Sequence, residues 1–210
     1  MGIIITRTKA LTAASDNCIS VSQIPAGAGN LTITGTAATA GVATLDTQRR
    51  VILTFAADET GHTFVVYGTK QGGAAIQETV AGAGIGIYAT NQDFLTVTRV
   101  SISAAATGAI KVGTNGVGST DWQSMDLMRQ PINLGFQVVP TGTVNYTIEA
   151  TNADIQNLAV GAGATAFNHV TVAAQTVSQS AAFTDPISFF RLTINSGTGS
   201  CTLIYSQAGP

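Results

Sequence analysis

Apolar and polar residues alternate with a period of two through most of the chain. The alternating segments are short, rich in Thr, Val, Ile and aromatic residues, and bounded by Gly, Asn, Asp or Pro. This pattern is typical of half-buried β-strands, whose successive side chains point to opposite faces of a sheet. The predicted strands are NLTITGT (30–36), RVILTF (50–55), HTFVVYGT (62–69), FLTVTRVSIS (94–103), AIKVGT (109–114), INLGFQVV (132–139), TVNYTIEAT (143–151), HVTVAA (169–174), FFRLTINS (189–196) and CTLIYS (201–206).

The connections between these segments also favour a fold built only from strands. No window of a dozen residues keeps apolar positions at helical spacing without a Gly or a Thr-rich break, so the sequence predicts little helix. The stretches ETGH, PTGT, ATGA and GTGS place a glycine where two predicted strands meet, which suits tight turns. We therefore expect an all-β protein made of antiparallel β-sandwiches, Ig-like or jelly-roll-like.

Four motifs recur in the same order in the two halves of the chain, at offsets that grow from 80 to 92 positions. Such recurrence indicates a duplicated domain with an insertion in the second copy. The matched residues are Asp46 and Asp126, Gly61 and Gly142, Phe64 and Tyr146, Ile102 and Ile194, and Gly108 and Gly199. We expect two tandem modules at 16–115 and 116–210, joined at the Gly-rich GTNGVGST (113–120) and preceded by an N-terminal arm at 1–15.

The charge content narrows the classes of function. The chain of 210 residues is 45% hydrophobic and only 10% charged, with nine Lys and Arg against eleven Asp and Glu. A net charge of -2 leaves no basic excess for phosphates, so direct nucleic-acid binding is not expected. No apolar run reaches the roughly 18 residues of a membrane span, and the N-terminus lacks the pattern of a signal peptide. So few charges favour a homo-oligomer whose faces are covered by partners.

Residues that could carry chemistry are few. His62 lies in a turn and His169 begins a predicted strand, and no Cys/His spacing indicates a metal site. Cys18 and Cys201 are expected to be buried free thiols. Asp58 and Glu59 share a turn, and the Gly-rich GAGIGIY (82–88) lacks the following helix that phosphate binding needs. We expect no catalytic residue, no cofactor and no metal.

Six residues are expected to act as structural anchors. Asp46 with Arg49, and Asp126 with Arg129, would be polar anchors at the beginning of equivalent strands. Trp122, the only Trp, is expected to pack in a core or near the joint between modules, with carbohydrate stacking as the alternative. Tyr146 occupies the position that Phe64 takes in the first module.

Several stretches carry a resemblance to a known group of proteins. They are LDTQRRVILTFAADETGHTFVVYGT (45–69), VSISAAATGAIKVGTNGVGSTDWQSMDL (100–127), TVNYTIEATNAD (143–154), FNHVTVAAQT (167–176) and FRLTINSGTGSCTLIYSQAG (190–209). Together they resemble small virion proteins of tailed bacteriophages over roughly residues 40–210. Val170 departs from the group, since many of its members have Pro there. The matching residues are Trp122, Gly142, Tyr146, Phe167, His169, Arg191, Asn195 and Gly199.

The resemblance implies a β-rich structural component without catalytic residues. Our leading hypothesis is a non-enzymatic capsid decoration or cement protein that binds the major capsid protein of the same phage. Such a protein would reside in the virion after assembly in the host cytoplasm. One alternative is a ring or sleeve subunit of the neck or tail. Another is a carbohydrate-binding adhesin, which would need an exposed aromatic and polar cluster around Trp122 or Tyr88.

Overall fold

The computed structural model describes residues 4–10, 15–70, 72–128, 133–155 and 165–208. These residues form sixteen β-strands and no helix, which confirms the predicted all-β class. Accordingly, no helix in this part of the chain could span a bilayer. The strands are β1 (Ile4–Ala10), β2 (Ser15–Gln23), β3 (Gly29–Asn30), β4 (Ala38–Thr39), β5 (Val42–Phe55), β6 (Thr63–Thr69), β7 (Ala75–Ala81), β8 (Gly86–Ile102), β9 (Ile110–Ser119), β10 (Gln123–Ser124), β11 (Asn133–Thr141), β12 (Val144–Thr151), β13 (Phe167–Asn168), β14 (Gln179–Phe183), β15 (Phe189–Gly197) and β16 (Ser200–Ala208).

The described residues divide into two compact units. The N-terminal unit contains residues 15–115, and the C-terminal unit contains residues from 116 onward together with residues 4–10. The change of unit falls inside β9, so GTNGVGST forms a strand rather than the linker that its glycines suggested. The described part of the expected N-terminal arm is likewise a strand, because β1 pairs along its whole length with β16 of the same chain.

The C-terminal unit is a sandwich of two antiparallel sheets. One sheet has the order β1, β16, β11, β14, and the other contains β13, β12 and β15 with the last residues of β9. Alternate residues of both sheets point inward and bury a common apolar core. Its most deeply buried members, all with no exposed surface, are Val138, Tyr146, Ile148, Ala150, Val172, Phe190, Leu192, Cys201 and Leu203.

The glycine turns of this unit carry the chain from one sheet to the other. The PTGT turn joins β11 to β12 and the GTGS turn joins β15 to β16, and neither turn connects two paired strands. Gly142 has a φ of +76°, as expected, but Gly199 does not adopt a positive φ. The amide of Gly199 donates to the carbonyl of Thr143 at 2.9 Å, and a Cβ on Gly199 would lie 2.3 Å from the Thr141 carbonyl oxygen. These turns are therefore close crossings between sheets, not the hairpins that the sequence indicated.

In the N-terminal unit, a long bent sheet surrounds a second apolar core. Its central strands run in the order β9, β5, β8, β6, β7. The first half of β8 pairs with β5 and the second half pairs with β6, so the 17 residues of β8 link both sides of the core. Phe55 stacks on Phe64 with ring centroids 4.8 Å apart, and Tyr88 stacks on Phe55 at 5.3 Å.

Two predicted strands do not form. Only Asn30 of NLTITGT belongs to a strand, although Leu31 and Ile33 are buried in the core. The segment HVTVAA follows β13 as a turn beside β12, because its residues make single hydrogen bonds to Ile148 of β12, at His169 and Val172, rather than a regular ladder. Conversely, β2, β7 and β14, with nine, seven and five residues, were not among the predicted strands.

Candidate functional site

The predicted anchor Asp46 with Arg49 forms a two-point ion pair within β5. The Arg49 guanidinium donates to the two Asp46 carboxylate oxygens at 2.6 and 2.7 Å, and also to the backbone carbonyl of Asn115 at 3.0 Å. Arg49 is 1% exposed, whereas the Asp46 side chain is 25% exposed. Pairing between β5 and β8 is irregular from Thr44 to Arg49, and this irregularity breaks the alternation so that Arg49 turns inward. The pair therefore ties β5 to β9.

The second predicted anchor differs from the first. Asp126 lies in a turn after β10, where its carboxylate accepts the amide of Met128 at 3.0 Å. The side-chain amide of Gln207 makes two hydrogen bonds to the Asp126 backbone. Its oxygen accepts the Asp126 N–H at 2.9 Å, and its nitrogen donates to the Asp126 carbonyl. Arg129 lies outside the described residues. Asp46 lies in the middle of a strand and Asp126 lies in a turn, so the two do not occupy equivalent strand beginnings.

Trp122 lies in a half-buried polar cluster of the C-terminal unit. The guanidinium of Arg191 covers its ring at 4.5 Å from the centroid. Arg191 also donates to the Glu149 carboxylate at 2.7 Å, which accepts the hydroxyl of Thr193 at 2.9 Å. Arg191 and Glu149 are cross-strand partners in the ladder between β12 and β15. The Trp122 cluster thus stabilises that ladder through cation–π and ionic contacts.

Tyr146 is a core anchor rather than a surface residue. Its ring is fully buried, and its hydroxyl donates to the carbonyl of Val177 at 2.7 Å. Burial, and secondly the nearby Cys201, raise the pKa of Tyr146 to about 12. Burial also raises the pKa of Cys201 to about 11. Cys18 and Cys201 are both buried free thiols, as the sequence predicted.

Glu59, which the sequence placed in a turn with Asp58, is a buried carboxylate. It has no exposed surface and accepts the amides of Gly108 at 2.8 Å and Thr107 at 3.2 Å, and it contacts His62 Nδ1 at 2.7 Å. Burial alone would raise the pKa of Glu59, but the hydrogen bonds from Gly108, His62 and Thr107 outweigh it and lower this pKa below its usual value. His62 is three positions away, but the two amide donors follow 48 and 49 positions later in the chain, so no local motif marks them.

The two histidines have turn and packing roles, as expected. His62 contacts Glu59 in the ETGH turn, where Gly61 has the expected positive φ of 89°. His169 packs edge-on against Phe136 and Phe183, with ring centroids 5.1 and 4.7 Å away. Its Nδ1 accepts the amide of Thr171 at 3.3 Å, so Nε2 carries the proton that is donated to the carbonyl of Ala182.

The Gly-rich GAGIGIY segment forms a pinned turn with two exposed isoleucines. Ile85 is 74% exposed and Ile87 is 63% exposed. The amide of Gly82 donates to the carbonyl of His62 at 2.8 Å, and the hydroxyl of Tyr88 donates to the carbonyl of Gly84 at 3.0 Å. We call this turn, with the exposed side chains of Ile85 and Ile87, the isoleucine turn. These two hydrogen bonds hold the turn on both sides.

No single centre of reactive groups emerges from these contacts. Within the described ranges, no group of three or more His, Cys, Asp or Glu side chains is placed to hold a metal ion. The chain matches no protein-family model, no curated protein and no solved structure. Two exposed features of the N-terminal unit are the isoleucine turn and a shallow cavity beside Tyr67 and Arg99, and large apolar side chains are also exposed elsewhere, as at Met128 and Val170.

Proposed function

We propose that the chain is a non-enzymatic structural protein of a tailed-bacteriophage virion, and that it decorates the capsid by binding the shell of the major capsid protein. The observation that carries this proposal is the isoleucine turn. Exposed apolar side chains on a rigid support are typical of protein interfaces, because little ordering is needed when they bind. The resemblance of the sequence to small phage virion proteins supports the same role.

The buried polar contacts suit a protein that bears load. Arg49 and Glu59 each join segments that are distant in the sequence, and both are buried. Such links resist separation of the strands, since breaking them would leave a buried charge without its partner. A decoration protein of this kind would act passively, by adding contact area across joints between capsid subunits.

The adhesin hypothesis is less well supported at the residues proposed for it. The Trp122 ring is covered by Arg191, and the ring of Tyr88 stacks on Phe55. One face of each ring is therefore already covered. A neck or tail position is separable from decoration by experiment, because a ring subunit predicts one fixed oligomer in solution.

Co-sedimentation with expanded capsids and with isolated tails tests the proposal. We expect saturable binding to capsids, and weaker binding by about tenfold or more for the double variant Ile85→Ser and Ile87→Ser, because two apolar side chains would no longer be buried. The matched control is Ile24→Ser, which changes another isoleucine of the same unit that is 65% exposed. Binding to tails alone would place the protein in the neck or tail. If the double variant bound capsids as tightly as the original chain, the isoleucine turn would not be part of the interface.

A further inference from the structure

A cavity of about 480 Å³ lies on the outer face of the sheet formed by β6, β7 and β8. Tyr67, Gln77 and Arg99 contribute to its lining, and the register places Tyr67 directly opposite both Gln77 on one side and Arg99 on the other. Three cross-strand partners thus form one row across three strands.

An irregularity in β8 shapes this row. Tyr67 pairs with Arg99 while Gly68 pairs with Val97, so Thr98 is an extra residue in β8. Thr98 and Arg99 are consequently both exposed and adjacent on the same face. Bulges of this type re-aim side chains and are frequent next to functional sites.

The guanidinium of Arg99 is positioned but not neutralised. It lies over the Tyr67 ring at 3.7 Å from the centroid, which orients its plane. Among the described residues, no hydrogen bond or ion pair to the Arg99 side chain is found, and the Gln77 side-chain amide is likewise without a partner. A stacked arginine with open N–H groups fits a planar carboxylate, which it can bind through two parallel hydrogen bonds.

The strand that carries Gln77 is held in place. The Glu78 carboxylate accepts the amides of Asn91 at 2.6 Å and Gln92 at 2.8 Å, and the Gln92 side chain donates to the Gln77 carbonyl at 3.1 Å. These contacts fasten β7 to the first half of β8. The backbone of Gln77 is therefore held in register beside Tyr67, on the strand next to the one that carries Arg99.

We propose that this row, the Tyr67–Arg99 site, binds an acidic saccharide. The carboxylate of a uronic acid unit would pair with Arg99, while its ring hydroxyls would bond to Gln77 and Thr98. The cation, the amide and the hydroxyl would contact the polar groups of such a ligand, and the apolar side of its ring would rest on Ala75 and Ile76, which also line the cavity. The proposal does not depend on a role in the virion.

Titration of the full chain with digalacturonate, followed by NMR of backbone amides, tests this site. We expect saturable shifts at Tyr67, Gln77, Thr98 and Arg99. The methyl ester of the same disaccharide has the same shape without the charge, and it should bind about tenfold or more weakly because the charged hydrogen bonds are lost.

Matched variants complete the test. Arg99→Gln should reduce affinity to that of the ester, and Arg99→Lys should recover only part of it because lysine lacks the planar fork. Lys111→Gln removes a partly exposed cation of the same unit and should bind like the original chain. Circular dichroism and thermal unfolding verify that each variant is folded. The saccharide proposal would be overturned if no saturable shifts appeared, or if the ester bound as tightly as digalacturonate. It would also be overturned if Arg99→Gln bound as tightly as the original chain, or if tetraglutamate bound more tightly than digalacturonate.

Discussion

Tyr146 lies directly opposite Ile194 across the ladder between β12 and β15. Phe64 lies directly opposite Ile102 across the ladder between β6 and β8. The internal repeat aligns Phe64 with Tyr146 and Ile102 with Ile194, so each aligned set forms the same cross-strand pair in its own unit. All four side chains are buried. A duplicated strand pair would produce this relationship, although duplication of a whole module stays a prediction.

Replacing Tyr146 by Phe tests the buried hydroxyl. The change leaves the Val177 carbonyl without its donor and should lower the free energy of unfolding by about 1 kcal/mol. Urea denaturation measures this loss. Tyr67→Phe is the control and should cost little, because Tyr67 is half-buried and its hydroxyl makes no hydrogen bond to any other residue that the structure describes. Equal losses in the two variants would argue against the role of the Tyr146 hydroxyl.

Replacing Asp46 by Ala should destabilise the chain by about 3 kcal/mol, since the buried Arg49 would lose its counter-charge. The expected cost lies at the low end of the range for buried pairs, because Asp46 is partly exposed to water. Adding Arg49→Met should restore much of the stability by removing the isolated charge. A single Asp46 variant as stable as the original would contradict the inferred importance of the pair.

The stability contributed by Glu59 should depend on pH. Its pKa in the folded chain is lowered from 4.5, so its contribution is complete above that value and is lost as pH falls through the folded pKa. Glu59→Gln should therefore be less stable near pH 7 and approach the original chain at acidic pH. Chemical denaturation from pH 7 to pH 3 tests this, and a difference that stayed constant with pH would contradict the inferred ionised state.

Gly68 permits the close approach of β6 to β8. A Cβ at this position would lie 1.8 Å from the Thr96 carbonyl oxygen, so Gly68→Ala should lower the free energy of unfolding by about 1–3 kcal/mol through overpacking. Gly84→Ala is the matched control, since a Cβ there meets nothing within 4 Å. Thermal unfolding of both variants measures the difference, and equal stability would refute the steric argument.

Local pattern was sufficient for the strands that alternate strongly. HTFVVYGT and INLGFQVV, for example, correspond to β6 and β11 within two residues at each end. Pattern failed at HVTVAA because its residues are bonded irregularly to β12, and alternation does not report which partner a segment meets. The turns were placed correctly, but their crossing between sheets depends on pairing that only the tertiary structure defines.

The candidate sites were less predictable than the strands. The pairing of Asp46 with Arg49 could be predicted from the sequence because the two residues are three positions apart. The partners of Trp122 and Glu59 come from other strands and loops, so their identity depends on register and on long-range packing. Tyr67 with Arg99 required knowledge of the bulge at Thr98, which leaves no signal in a single sequence.

The most direct test of the proposed function is the copy number of the protein in purified virions of the phage that encodes it. Quantitative mass spectrometry can compare the chain with the major capsid protein in the same particles. Decoration predicts many copies in each particle, in a fixed ratio to the major capsid protein that is far above the ratio of a single ring. A ratio corresponding to a single ring, or absence from the particle, would contradict the account.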